Sequence, residues 1–77
     1  MAKYQGHRNW NHWNVALWIA NDEPMYRLAL RLKREHGSEH GAELFLEGLR
    51  RDGQYKTPDG APYTYTPVLA AIRGLES

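Results

Sequence analysis

W-N-H-W-N-V-A-L-W-I-A-N-D-E, residues 10–23, holds all three tryptophans of a 77-residue chain. Trp10, Trp13 and Leu17 recur at the i, i+3, i+7 spacing that places side chains on one helical face. Trp18 widens that face, and Val15 and Ile19 extend it around the other side. A helix apolar over most of its circumference is one that other elements cover on several sides. Each tryptophan buries roughly 150–250 Å², so the pattern predicts that the three indoles supply much of the core. Asn14, set among them, needs partners for its amide if it is enclosed. A hydrogen bond to a loop such as the later hairpin satisfies that need, and a ligand pocket under the tryptophans is the alternative.

Working outward, Asn9 or Asn11 is placed to cap this first helix, expected over residues 11–20. Asn21-Asp22-Glu23-Pro24 stops it and starts a second, over 23–36. Asn21 or Asp22 serves as cap there, and Pro24 sits in a first turn, where a missing N–H costs nothing. Met25, Leu28, Ala29 and Leu32 form the apolar stripe of that helix. Gly37 ends it and Ser38 caps a third helix, over 39–51, with Ala42, Phe45, Leu46 and Leu49 as its inner face. Gly41 and Gly48 each cost about 1 kcal/mol relative to alanine inside a helix, and close helix–helix approach is the ordinary reason to keep them.

Thr57-Pro58-Asp59-Gly60 has the signature of a type I turn. Tyrosines and threonines on either side predict a small β-hairpin, with Pro62 restricting its second strand to an edge. Tyr55, Tyr63 and Tyr65 are its expected contacts, and residues 3–5 offer a third strand. Thr66-Pro67 opens a last helix, with Val68, Leu69, Ile72 and Leu75 facing inward. The expectation is a mainly α single domain over residues 1–77: a bundle of four short helices with a small β-hairpin before the last.

Composition narrows the function. The chain has no cysteine, which removes disulfides and thiolate metal sites. Ten Lys plus Arg stand against nine Asp plus Glu, formally +1, less basic excess than a dedicated nucleic-acid-binding fold shows. No apolar run approaches the roughly 18 residues needed to span a bilayer, and no secretory leader pattern begins the chain, so it reads as a cytoplasmic protein. There is no nucleophile motif, glycine-rich phosphate loop or paired-carboxylate motif, so no enzymatic activity and no cofactor is expected. His7, His12, His36 and His40 lack the spacing of a metal site.

Two charged rows and a set of phenols remain. Arg27, Arg31 and Arg34 fall at i, i+4, i+7 on the second helix, with Lys33 beside them, and Lys3 and Arg8 in the N-terminal arm can join them. Guanidinium groups pair with phosphate or carboxylate through two parallel donors. Glu39, Glu43 and Glu47 stack at i, i+4, i+8 on the third helix, an arrangement of like charges that calls for an offset. Pairing with the neighbouring arginines, or with Arg50 and Arg51, supplies one offset; a basic groove on a partner supplies another. An ordinary solvated face is the plainer reading of the arginine row, and pairing within the chain the plainer reading of the glutamate row. Tyr55, Tyr63 and Tyr65 suit either base stacking or a protein interface.

The segment from Asn11 to Glu23, with Tyr26-Arg27-Leu28-Ala29 and the later Thr57-Pro58-Asp59-Gly60, resembles a group of small uncharacterised proteins from phages and mobile elements. Their marker is N-x-W-N-V-x-L-W followed by N-D-E and a late T-P-D-G turn. Pro24 stands where relatives are expected to carry glycine, which stiffens the start of the second helix. What the resemblance implies is genomic company: small phage proteins of this size often inhibit host defence systems, CRISPR complexes among them. The expected function is therefore a non-enzymatic protein that blocks a nucleic-acid-recognition surface of a host defence complex in an anti-CRISPR-like manner. Its contact residues would be Arg27, Arg31, Arg34, Glu39, Glu43, Glu47, Tyr55, Tyr63 and Tyr65. The alternatives are a small nucleic-acid-binding module using Lys3, Arg8, Arg27, Arg31 and Arg34, and a homodimeric structural protein. Monomer and homodimer both remain open.

Overall fold

A computed structural model describes residues 9–75. Within it run four helices: α1 (Trp10–Asn21), α2 (Glu23–His36), α3 (Ser38–Arg51) and α4 (Tyr65–Arg73). The junctions between the first three are as short as they can be. Asp22 alone separates α1 from α2; its backbone N–H closes the last turn of α1 on Trp18, and its carboxylate accepts from the N–H of Met25. Gly37 alone separates α2 from α3 at φ +84°, a backbone that side chains rarely adopt. Ser38 is thus the first helical residue and not the expected cap. Asn9 caps α1 by accepting from the N–H of His12.

α1 packs mainly on α4 and α2 mainly on α3, and α3 also contacts α4. The core between them consists of Val15 and Ile19 from α1, Ala29 and Leu32 from α2, the Ala42, Phe45, Leu46 and Leu49 face of α3, and Val68, Ala71 and Ile72 from α4. The stripe expected on α3 is therefore the buried one; of that on α2, Ala29 and Leu32 are buried and Met25 and Leu28 pack half-buried against the core. The expectation for α1 is overturned. Its buried line is His12, Val15 and Ile19, turned away from the tryptophans. Trp10 is exposed, and Trp13 and Trp18 are half-buried at the rim. Buried alanines from α2, α3 and α4 draw the helices together, so the interior has room for aliphatic side chains. An enclosed indole would also need a partner for its N–H.

The small β-hairpin does not form, and no β-strand occurs among the described residues; one isolated antiparallel bridge, Lys56 with Pro62, is all that pairs. Two main-chain bonds flank that bridge, from the Thr57 N–H to the Ala61 carbonyl and from the Tyr63 N–H to the Tyr55 carbonyl. Pro62 stands at the position between them whose N–H a ladder does not use. The Ala61 N–H goes to the Thr57 hydroxyl, not to a main-chain oxygen, so the pairing goes no further and the segment closes as a loop. Its tip is the expected turn, with the Gly60 N–H on the Thr57 carbonyl and Gly60 at φ +97°. The expected third strand at residues 3–5 lies outside the described residues. α4 begins two residues earlier than expected, after Thr64, which leaves Pro67 inside the first turn, where its missing N–H is harmless.

The two helical glycines differ. A Cβ on Gly41 would meet the Leu32 carbonyl carbon and oxygen at 3.1 Å, so α2 and α3 touch backbone to backbone there. A Cβ on Gly48 would meet nothing within 4 Å. Gly41→Ala is expected to destabilise the fold by about 1–3 kcal/mol, while Gly48→Ala stabilises it by about 1 kcal/mol. Thermal unfolding of the two variants checks this opposition of sign.

Candidate interaction surface

The arginine row is brought together on the surface of α2. Arg27, Arg31 and Arg34 border one shallow hollow floored by Pro24, Leu28 and Leu30. All three arginines are exposed. Arg27 is tied to Glu23 one turn earlier at 2.6 Å. Arg31 and Arg34 have no hydrogen bond or ion pair among the described residues. Lys33 does not belong to this row. Its ammonium reaches across to the carbonyl oxygens of Arg73 and Leu75, where it caps the C-terminal end of α4. Lys3 and Arg8, expected to extend the row, lie outside the described residues.

The acidic row on α3 is largely answered from within. Glu39 pairs with Arg73 of α4 at 3.1 Å, and Glu47 with Arg51 at 3.7 Å. Glu43 shares a hollow with Leu46, Glu47, Arg50 and Tyr65. Two of the three stacked carboxylates thus meet arginines of the same chain. Such exposed pairs contribute about 0–1 kcal/mol each, enough to offset mild repulsion along a helix.

The tyrosines do not form one platform. Tyr63 is 5% exposed and belongs to the core, its hydroxyl against the Met25 sulfur. Burial first, and the charge of Asp22 second, raise its pKa above the ordinary phenol value. As a partner-binding residue Tyr63 is therefore corrected to a core residue. Tyr55, 60% exposed, and Tyr65, 37% exposed, border separate hollows.

His36 and His40 meet edge to face across Gly37, ring centroids 5.0 Å apart. No group of three or more His, Cys, Asp or Glu able to hold a metal ion occurs among the described residues. No helix among them is long and apolar enough to cross a membrane.

The polar group inside the tryptophan segment has a specific task. Asn14 is 1% exposed. Its amide nitrogen donates to an oxygen of the Asp59 carboxylate at 2.8 Å, and the Trp18 indole N–H donates to the same oxygen at 2.9 Å. The Thr57 hydroxyl donates to the Asn14 carbonyl oxygen and accepts from the Ala61 N–H. Four side chains thus clasp the loop tip to α1, and no buried side-chain polar atom among the described residues lacks a partner. All four belong to the two marker segments, N-x-W-N-V-x-L-W and T-P-D-G, and the bonds between them span 41 to 45 residues of sequence. Sequence reasoning anticipated that Asn14 would bind a loop. It missed Asp59 and the Trp18 N–H, although an acidic residue at a turn tip and an indole needing an acceptor were both visible.

A family model matches residues 1–73. The chain belongs to DUF7249, a family of unknown function. No curated protein and no solved structure matches it. Membership accounts for the resemblance at the level of a small uncharacterised family. In this DUF7249 chain the two marker segments are joined by a structural clasp.

Hydrogen bonds from Asn14 and then Trp18 lower the Asp59 pKa below 3.8, against a smaller opposing effect of desolvation. A carboxyl held low in the folded state stabilises the fold above its unfolded value, and that contribution disappears as pH falls through the lowered folded value. The stability advantage of the native chain over Asp59→Asn is therefore expected to be constant at neutral pH and to shrink as pH drops through and below 3.8. Urea unfolding of both proteins across that range measures it.

Proposed function

We propose that this DUF7249 protein is a non-enzymatic interaction protein that engages an anionic partner surface through Arg27, Arg31 and Arg34 on α2. The observation that carries this reading is that Arg31 and Arg34 are exposed around an apolar floor and have no hydrogen bond or ion pair among the described residues. Arginine beside apolar contact area is the composition of an interface anchor. The acidic row is a weaker choice, since two of its three glutamates already meet arginines of the same chain. In its most concrete form the proposal is an inhibitor carried by a phage or mobile element and acting in the host cytoplasm. It would cover a nucleic-acid-recognition surface of a defence complex, in the manner of an anti-CRISPR protein. Small size and the genomic company implied by the marker segments support that form.

The same arginine face favours a second reading, a nucleic-acid-binding module. The two differ in what the isolated protein binds. Direct phosphate contact gives affinity that falls steeply with salt, with a slope of about 0.9 per contact neutralised on duplex DNA.

Co-precipitation with purified host defence complexes, followed by a target-DNA binding assay, tests the first reading. The expected result is capture and loss of target binding, with both effects weakened at least about tenfold by Arg31→Glu/Arg34→Glu. Target binding unchanged across the complexes tested contradicts it. A mobility shift by the isolated protein at low salt, whose salt slope drops by about 2 in the double variant, favours the second reading.

A further inference from the structure

The corner beside the clasp holds a second concave surface. Two hollows, of about 540 and 380 Å³, share Asp22, Met25 and Gln54 and therefore form one trough. It runs between the α1–α2 corner and the end of α3. Leu28, Phe45 and Leu49 floor one end, and Trp18, Tyr55 and Tyr63 line the other. Gly48 lies in its wall, and that glycine has no internal packing reason to be one. A helical glycine costs about 1 kcal/mol against alanine. At Gly41 that cost is explained by the backbone of Leu32; at Gly48 what it leaves is an open wall.

The charge on the trough is uneven. Asp22 and Asp52 stand along it, while the one cation lining it among the described residues, Lys56, lies at the end beside Tyr55 and Pro58. The Asp22 carboxylate accepts from the Met25 N–H and has no ion pair among the described residues. The Asp52 carboxylate has no ion pair among the described residues. An apolar channel edged with carboxylates complements a segment that carries aliphatic anchors between cations. The exposed Tyr55 ring at one end adds cation–π contact for a lysine or arginine.

We propose that this trough docks a basic, leucine-anchored peptide segment of a partner protein; Pro24 and Leu28 border both the trough and the hollow of the α2 arginines, so the two surfaces adjoin. The anchors enter beside Gly48, and the flanking cations meet Asp22 and Asp52. Positive arginines on α2 and this acid-edged trough would let the protein contact two surfaces of opposite charge.

The test uses the isotope-labelled full chain and an amidated peptide, Lys-Leu-Lys-Arg-Leu-Lys, followed by two-dimensional NMR. Two control peptides replace every cation with glutamate or every leucine with alanine. The expected result is saturable shifts at Gly48, Gln54 and the Trp18 indole N–H with the first peptide and with neither control. Gly48→Leu fills the wall at a position where nothing is within 4 Å, so it keeps the fold by circular dichroism and weakens binding at least about tenfold. Asp52→Lys does the same through charge. Absence of saturable shifts at millimolar peptide, equal binding of the glutamate control, or affinity unaffected by Gly48→Leu overturns the proposal. Concentration-dependent association of the chain without peptide, abolished by Gly48→Leu, assigns the trough to a second copy and also overturns it.

Discussion

Asn14 sits where water cannot reach it, and its amide is satisfied only by the side chains of Thr57 and Asp59. The rest of the structure is arranged around that constraint. A buried amide that loses its partners costs about 1–3 kcal/mol, a large share of what a core of this size supplies. The clasp therefore holds the loop after α3 against α1, and the loop in turn delivers the chain to the start of α4. Ala61 and Tyr63, both on that loop, enter the core only because its tip is fixed. Where a sheet would have used main-chain pairs, this fold uses an asparagine, a threonine, an aspartate and an indole.

Fixing the loop also determines what the surface presents. The tryptophans stay at the rim of α1 because one of them is needed there, with its N–H turned to Asp59. The core is closed by alanines and aliphatic side chains, and charge is left to the outer faces of α2 and α3. Those two faces are not equivalent. Arginines from α3 and α4 answer the carboxylates of α3, whereas nothing in the described chain answers Arg31 and Arg34. Lysine 33 shows how different neighbouring cations can be: it closes the end of α4 and is unavailable to a partner. The asymmetry makes α2 the stronger choice for a contact face.

The sequence was legible where local rules decide. Asn9, Asp22 and Gly37 mark helix ends through capping chemistry and a positive φ, and the stripes of α2 and α3 follow from periodicity alone. It was misleading where size and hydrogen bonding compete with hydrophobicity. The tryptophans look like core by area, yet Val15 and Ile19 fit the space that buried alanines leave. Tyr63 and Tyr55 look alike in sequence, but one enters the core and the other does not. The hairpin signal failed at Thr57, whose hydroxyl takes the Ala61 N–H that would have carried the pairing beyond a single bridge. The arginine row was visible as a spacing. That its members lacked partners depended on where α3 and α4 placed their carboxylates.

Native-state hydrogen exchange tests the central claim most directly, because it reads whether the loop opens with the core or apart from it. The N–H groups to follow are those of Thr57, Ala61 and Tyr63, together with Phe45 on α3. If the clasp makes the loop part of the core, the three loop groups exchange with protection close to that of Phe45, and Asn14→Ala releases them first. If they exchange as freely as an unattached loop while Phe45 remains protected, the clasp does not hold the fold together.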